Sequence, residues 1–232
     1  MTSATTSVVL QSSDWAYVLE NADILFEGTV ETIKLTVLAM VLGFLAGFPA
    51  GAAEVYGSPW IRKPVWAAGV GLRATTILVI LVFLFFVAPF ATSAFVAAVI
   101  GLGFRSAAYQ AQMFRGALQS VDEGQMEAAR SVGMTRFQAI RRVIVPQALR
   151  RSIPGFQNEF TIVLKDTSIA IILGISELLG VTEDLFLQSG RSGAALELIL
   201  AASLVYFVLT VTTNRGIEYL GEVYEIPSGE ST

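Results

Sequence analysis

Apolar residues in this chain gather into five long runs, at about Ile24 to Ala53, Pro64 to Ala88, Thr92 to Leu118, Ile153 to Gly174 and Ala194 to Thr213. Each reaches the roughly 20 helical residues needed to cross a hydrocarbon core. The pattern therefore predicts an all-α integral membrane bundle of five transmembrane helices. Gly57-Ser58-Pro59 separates the first two runs and Pro89 the second from the third. The polar stretch from Ser176 to Ser192 predicts a short external helix after the fourth. Within the first run Gly43, Gly47 and Gly51 recur every fourth residue, with Ala39 one step earlier. Small residues at that interval let helix backbones approach closely, inside one subunit or between two.

The interval Ser120 to Pro146 is too polar to cross a bilayer, yet it carries helical punctuation. Ser120 with Glu123 reads as a capping box opening a helix that runs to Val132, and Gly133 as the left-handed residue that ends it. Thr135 with Gln138 repeats the box and opens a second helix, which Pro146 closes from beyond its end. Phe137, Ile140 and Ile144 share one face of that helix by their spacing, while Arg136 and Arg142 lie elsewhere. Such a helix suits a groove in a partner protein. It equally suits the surface of the inner leaflet.

Composition sharpens the picture. Hydrophobic residues make up 54% of the 232 and charged residues 15%, well under the roughly 25% charged of soluble domains, and mean hydropathy is +0.65. The chain has no Cys and no His, which removes thiolate nucleophiles, imidazole bases and most transition-metal sites, so neither an enzyme nor a bound cofactor or metal is expected. The net charge of -4 argues against nucleic acid as a partner. The first thirteen residues lack Lys and Arg and precede no small-residue cleavage site, so no removable signal peptide is expected.

Charge placement orients the spans, because cytoplasmic loops hold the excess of Lys and Arg. An N-terminus outside puts Arg62 and Lys63, then Arg130, Arg136, Arg141, Arg142, Arg150 and Arg151, then Arg215 on the inner side, and only Arg191 outside. The C-terminus then lies inside. Ionisable residues within spans are costly and default to functional candidates, and Arg105, Glu159, Lys165 and Asp166 qualify. Arg105 falls near the middle of the third run, where its planar guanidinium suits an α-carboxylate. The competing reading is an internal ion pair with Glu159 or Asp166.

Glu127-Ala128-Ala129, then Gly133, then Val143-Ile144-Val145-Pro146 resembles the loop motif of ABC importer permeases, usually written E-A-A, G, then I-x-L-P. The stretch from about Tyr109 to Leu178 is similar to the histidine/glutamine-type branch for polar amino acids. It includes Phe114-Arg115-Gly116, Glu127-Ala128-Ala129-Arg130, Pro146-Gln147-Ala148-Leu149-Arg150, Asn158-Glu159-Phe160 and Leu164-Lys165-Asp166-Thr167-Ser168. Gly28, Thr32, Leu35 and Thr36 add a fainter echo, and Arg73-Ala74-Thr75-Thr76 departs from the branch's usual R-G-T-P.

The resemblance implies a type I (MetI-like) transmembrane domain over residues 24–220, after an extracytoplasmic segment 1–23 and before an acidic cytoplasmic tail 221–232. It implies as partners a cytoplasmic ATPase dimer carrying ATP and Mg, a second permease that is a copy or a paralogue, and an external amino-acid-binding protein. Coupling to the ATPase falls to Glu127, Ala128, Ala129, Gly133 and Pro146, and the substrate pathway to Arg105, Glu159, Lys165, Asp166 and Thr167. Two rivals remain. An ion-gradient transporter commonly shows internal repeats with paired broken helices, and no repeat is found here. A non-transporting scaffold leaves the doubly capped loop without a purpose.

Overall fold

A computed structural model describes residues 14–88, 93–187 and 192–223 of the chain. Every regular element among them is helical. After a helical stretch over residues 14–20, α1 runs Ala22–Tyr56, 35 residues that include Pro49. Its threonines are suited to an apolar medium: the Thr29, Thr32 and Thr36 hydroxyls donate to the carbonyls of Leu25, Gly28 and Thr32, four residues back. Thr29 and Thr36 are thus satisfied inside the helix, as apolar surroundings require, while the Thr32 hydroxyl also lies within reach of Glu177.

The second expected span is not one helix. Pro59–Ala74 forms α2 and Ile77–Val87 forms α3, and the pair is bent by 105° at the intervening break. Thr75 is extended at φ -89 and ψ 135 and its hydroxyl donates back to the Gly71 carbonyl, so the side chain finishes α2 as the backbone leaves it. The separator Pro89 lies outside the described residues. α4 spans Ala94–Gln119, with the Ser93 hydroxyl accepting from the Val96 N–H at its start.

The fourth expected span also divides. α8, defined here as Ile153–Asp166, has 14 residues and rises only about 21 Å, short of a hydrocarbon core of about 30 Å. Thr167–Leu173 continues it as a tighter 3-10 helix that stops at Gly174 in the left-handed region. Between α4 and α8 lie α5 (Glu123–Ser131), α6 (Arg136–Ala139), a π turn (Ile140–Ile144) and α7 (Val145–Arg151). The helix foreseen within Ser176 to Ser192 forms as α9, Leu178–Leu187, and α10 runs Ala195–Val223. Arg191 is outside the described residues. Among those described, three helices are long and apolar enough to cross a membrane, or four if α2 and α3 make one broken span.

The chain divides into two compact units. In the first, drawn from the described residues up to Leu38 with Ile77–Leu102 and Leu164–Val211, a core forms from Val18, Leu25, Leu178, Val181, Leu185 and Leu198. In the second, drawn from Ala39–Thr76, Gly103–Val163 and residues from Thr212, the glycine stripe of α1 lies against α4. A Cβ at Gly47 would stand 2.7 Å from the Ala107 carbonyl oxygen, and one at Gly51 2.7 Å from that of Ala111. Backbone cannot yield to such an intrusion, so the stripe serves packing within the chain. Phe114 sits edge-on to Phe44 and Phe48 beside it, at ring separations of 5.5 and 5.3 Å.

Candidate functional site

The helix α5 begins later than its sequence signal. Asp122 is the cap, its Oδ1 accepting from the Gly124 N–H at 2.7 Å. Ser120 is committed elsewhere: its hydroxyl donates to the Ala117 carbonyl at 2.9 Å, and its own carbonyl accepts from the Arg151 guanidinium. The Ser120–Glu123 box is therefore corrected to an Asp122 cap.

The end of α5 follows expectation. Gly133 takes φ +86, its N–H donates to the Arg130 carbonyl, and the Met134 N–H donates to that of Ala129. These two bonds form the paired closure in which a left-handed residue satisfies the last carbonyls of a helix. Thr135 then opens α6 with a complete capping box: Gln138 N–H to the Thr135 hydroxyl, and Thr135 N–H to the Gln138 side-chain oxygen.

Pro146 does not stop this second helix, contrary to expectation. The backbone widens into the π turn Ile140–Ile144, closed by the Val145 N–H on the Ile140 carbonyl, and continues as α7 to Arg151 with Pro146 in its first turn. A proline ring collides with the carbonyl four residues earlier in a regular helix. The wider turn removes that collision.

The C-terminal part of the projection is tied back to the end of α4 and the residues that follow it. Ile144 and Ala148 pack with Ala117, Leu118 and Val121, Arg151 holds Ser120, and Gln147 donates to Gln125 across the pair at 3.2 Å. Its far side is open. Glu127 and Ala128 are exposed, and Val132 and Phe137 are 74% and 71% exposed. Ala129 is buried, so its small size serves the projection's own packing. The face predicted to unite Phe137, Ile140 and Ile144 is thus split, with Ile144 turned to the root and Phe137 outward.

The pathway candidates are placed individually. In the second unit Arg105 is half-buried with its guanidinium carbon 5.2 Å from the centre of the Tyr109 ring, and Glu159 is buried. In the first unit Lys165 is exposed, Asp166 is half-buried, and Thr167 is fully buried with its hydroxyl donating to the Leu164 carbonyl. Arg105, Glu159 and Asp166 each engage a neighbour within the protein.

Two polar groupings escaped the sequence reading. Glu54, near the end of α1, pairs with Arg115 of α4 at 3.0 Å. Glu177 is fully buried at the cap of α9, where one carboxylate oxygen accepts from the Gly180 N–H and the other from the hydroxyls of Tyr206 and Thr32. Thr32 in turn accepts from the Leu178 N–H. A carboxylate at a helix N-terminus is favoured by the helix dipole. The only hint in the sequence was Thr32 in the apolar first run. Among the described residues, no three Asp or Glu side chains converge as a metal site would need.

Residues 39–221 match the family described as binding-protein-dependent transport system inner membrane component. The glutamine transport system permease protein GlnP of Escherichia coli (strain K12) is 34% identical over 207 residues, 87% of this chain and 93% of that protein. The probable amino-acid permease protein YxeN of Bacillus subtilis (strain 168) is 34% identical over 208 residues, 87% of this chain and 92% of that one. A crystal structure of an amino acid ABC transporter with histidines has a chain that superposes with a TM-score of 0.80 at 30% identity, covering 89% of this chain and 96% of its own. Agreement over so much of the chain, including the loop whose caps are described above, makes this protein a member of that family, the multi-pass cytoplasmic-membrane permease subunits of ABC importers.

Proposed function

We propose that this permease forms the membrane pathway for a polar amino acid and transmits the ATPase cycle to it through the projection between α4 and α8. The observation that carries the coupling role is the projection itself: firmly rooted on α4, yet presenting Glu127, Ala128, Val132 and Phe137 outward. A partner that moves this surface moves α4 with it, because the root packs against α4 and is hydrogen-bonded beside its end. ATP and Mg act on the partner ATPase dimer, so this chain contributes no hydrolytic group. An external binding protein delivers the substrate, and a second permease, a copy or a paralogue, completes the pathway.

The amino-acid substrate rests on the relatives, which include a glutamine permease and an amino acid transporter. Five crossings are assigned to α1, the α2–α3 pair, α4, α8 with its 3-10 extension, and α10. Arg105, Glu159, Lys165, Asp166 and Thr167 line or support the route. With the N-terminus outside, the basic projection faces the cytoplasm.

Copurification of the complex from its native membrane, followed by ATP-driven uptake of labelled glutamine, histidine and arginine into proteoliposomes, tests this reading. Uptake of at least one, dependent on both ATP and a binding protein, is expected. Uptake driven by an ion gradient without ATP would replace the assignment with the secondary-transporter one.

A further inference from the structure

Beside the root of the projection, in the second unit, a cavity of about 300 Å³ is lined by Glu54, Arg62, Lys63, Trp66, Arg115 and Gln119. Glu54 and Arg115 neutralise one another at 3.0 Å. The net charge of the recess therefore comes from Arg62 and Lys63, both exposed and neither in an ion pair among the described residues. Trp66, 50% exposed, lines the recess with them, and Trp60 and Ile61, 90% and 53% exposed, precede them on the same helix.

Indole rings collect at the headgroup level of a bilayer, where the ring body meets acyl chains and the N–H meets water. Trp60 and Trp66 flank the two cations along α2, which suits the mouth of the recess to that layer. Exposed basic residues elsewhere in the chain, such as Arg141 and Arg142, do not line this recess.

We propose that this recess binds the phosphodiester headgroup of an anionic phospholipid, with Arg62 and Lys63 on the phosphate and Trp60, Ile61 and Trp66 against the glycerol and upper acyl chain. The volume suits a headgroup alone, at the small end of ligand pockets, leaving the acyl chains in the bilayer. Basic recesses between helices attract such headgroups, each cation near the surface adding roughly fivefold in affinity. The exposed indole of Trp66 in the lining, with Trp60 and Ile61 bare on the same helix, favours a lipid over an acidic loop of a protein partner. The leaflet concerned follows from the topology proposed above, whereas binding itself does not.

The full-length permease in a neutral detergent, titrated with phosphatidylglycerol or phosphatidylcholine and read by native mass spectrometry, gives the test. Phosphatidylglycerol should be retained preferentially, and Arg62→Gln/Lys63→Gln should weaken it by roughly 25-fold. The charge-matched Arg141→Gln/Arg142→Gln variant should change it by less than about twofold. Equal losses in both variants would reduce the effect to net charge and overturn the site. So would displacement of the lipid by millimolar inorganic phosphate, which would make the recess a general anion site. Cross-linking of a photoreactive residue at position 63 to the ATPase rather than to lipid, in the assembled transporter, would give the recess a protein occupant and overturn it as well. Binding in detergent is independent of orientation, so a failed topology test and a failed lipid preference remain distinguishable.

Discussion

Glu54 Oε2 lies 3.0 Å from Arg115 Nη1, joining the end of α1 to α4, and the two sides of the pair are unequally wet: 4% of the Glu54 side chain is exposed and 34% of that of Arg115. The consequences of breaking the pair should be unequal too. Arg115→Leu strands a buried carboxylate, a loss of about 3–5 kcal/mol for fully buried pairs and about 2–3 kcal/mol here after allowing for solvent near the arginine. Glu54→Gln leaves a cation that can turn to water, for about 1 kcal/mol or less. Thermal unfolding of the purified permease should rank Arg115→Leu below Glu54→Gln, with the double variant restored above Arg115→Leu. A Glu54→Gln protein as unstable as Arg115→Leu would contradict the asymmetry.

The Glu177 cluster makes a second stability prediction. Tyr206→Phe removes one donor to the carboxylate but leaves Thr32 and the Gly180 N–H in place, so a loss of about 1 kcal/mol is expected. Thr32→Val is worse. It takes away a donor to Glu177 and the acceptor of the buried Leu178 N–H together, and should cost about 2–3 kcal/mol. Unfolding midpoints of the two variants measure the difference, and an equal or reversed order would show that Thr32 has no such double role.

What the sequence disclosed follows the range of the forces involved. The Thr135–Gln138 box and the left-handed Gly133 were legible because their partners lie within a few residues. Ser120 misled because its hydroxyl oxygen, the group that would cap the helix, accepts from Arg151, 31 residues away, leaving Asp122 as the cap. Pro146 misled because a π turn, which no local signal announced, lets the helix pass it. The break after α2 was hidden because Arg73-Ala74-Thr75-Thr76 contains no Gly or Pro to announce it. Glu177 was legible only as part of the polar stretch expected to form a short external helix, because its partners Thr32 and Tyr206 are 145 and 29 residues distant.

Topology can be tested cleanly, since the chain has no native cysteine. An impermeant maleimide on intact cells should label Ser12→Cys and spare Ser228→Cys, following the distribution of arginines. The opposite pattern would reverse the orientation and place the projection outside, away from any ATPase.

Arg105, over the Tyr109 ring, separates a binding role from a structural one. Arg105→Leu should reduce uptake at least about 100-fold, as loss of a bidentate carboxylate contact would, while the variant still assembles with its ATPase. Arg105→Lys should recover little, because an ammonium lacks the planar fork. Loss of assembly or of membrane expression would instead assign Arg105 to the folding of the bundle through an internal pair.

The coupling role makes the most specific prediction. Gly133 holds φ +86 with no atom near its missing Cβ, so the constraint there is backbone conformation and not space. Valine is strained at that φ, whereas asparagine tolerates it. Gly133→Val should therefore misplace α6 relative to α5 and lower ATP-driven uptake at least about tenfold, while Gly133→Asn should stay within about threefold of wild type. Glu127 is exposed on α5, so Glu127→Lys should leave folding intact and act on the partner, releasing the ATPase or letting it hydrolyse ATP without transport. Uptake, ATPase activity and permease abundance, measured together in proteoliposomes, separate these outcomes. If Gly133→Val and Glu127→Lys both import at the wild-type rate, the projection does not carry the signal.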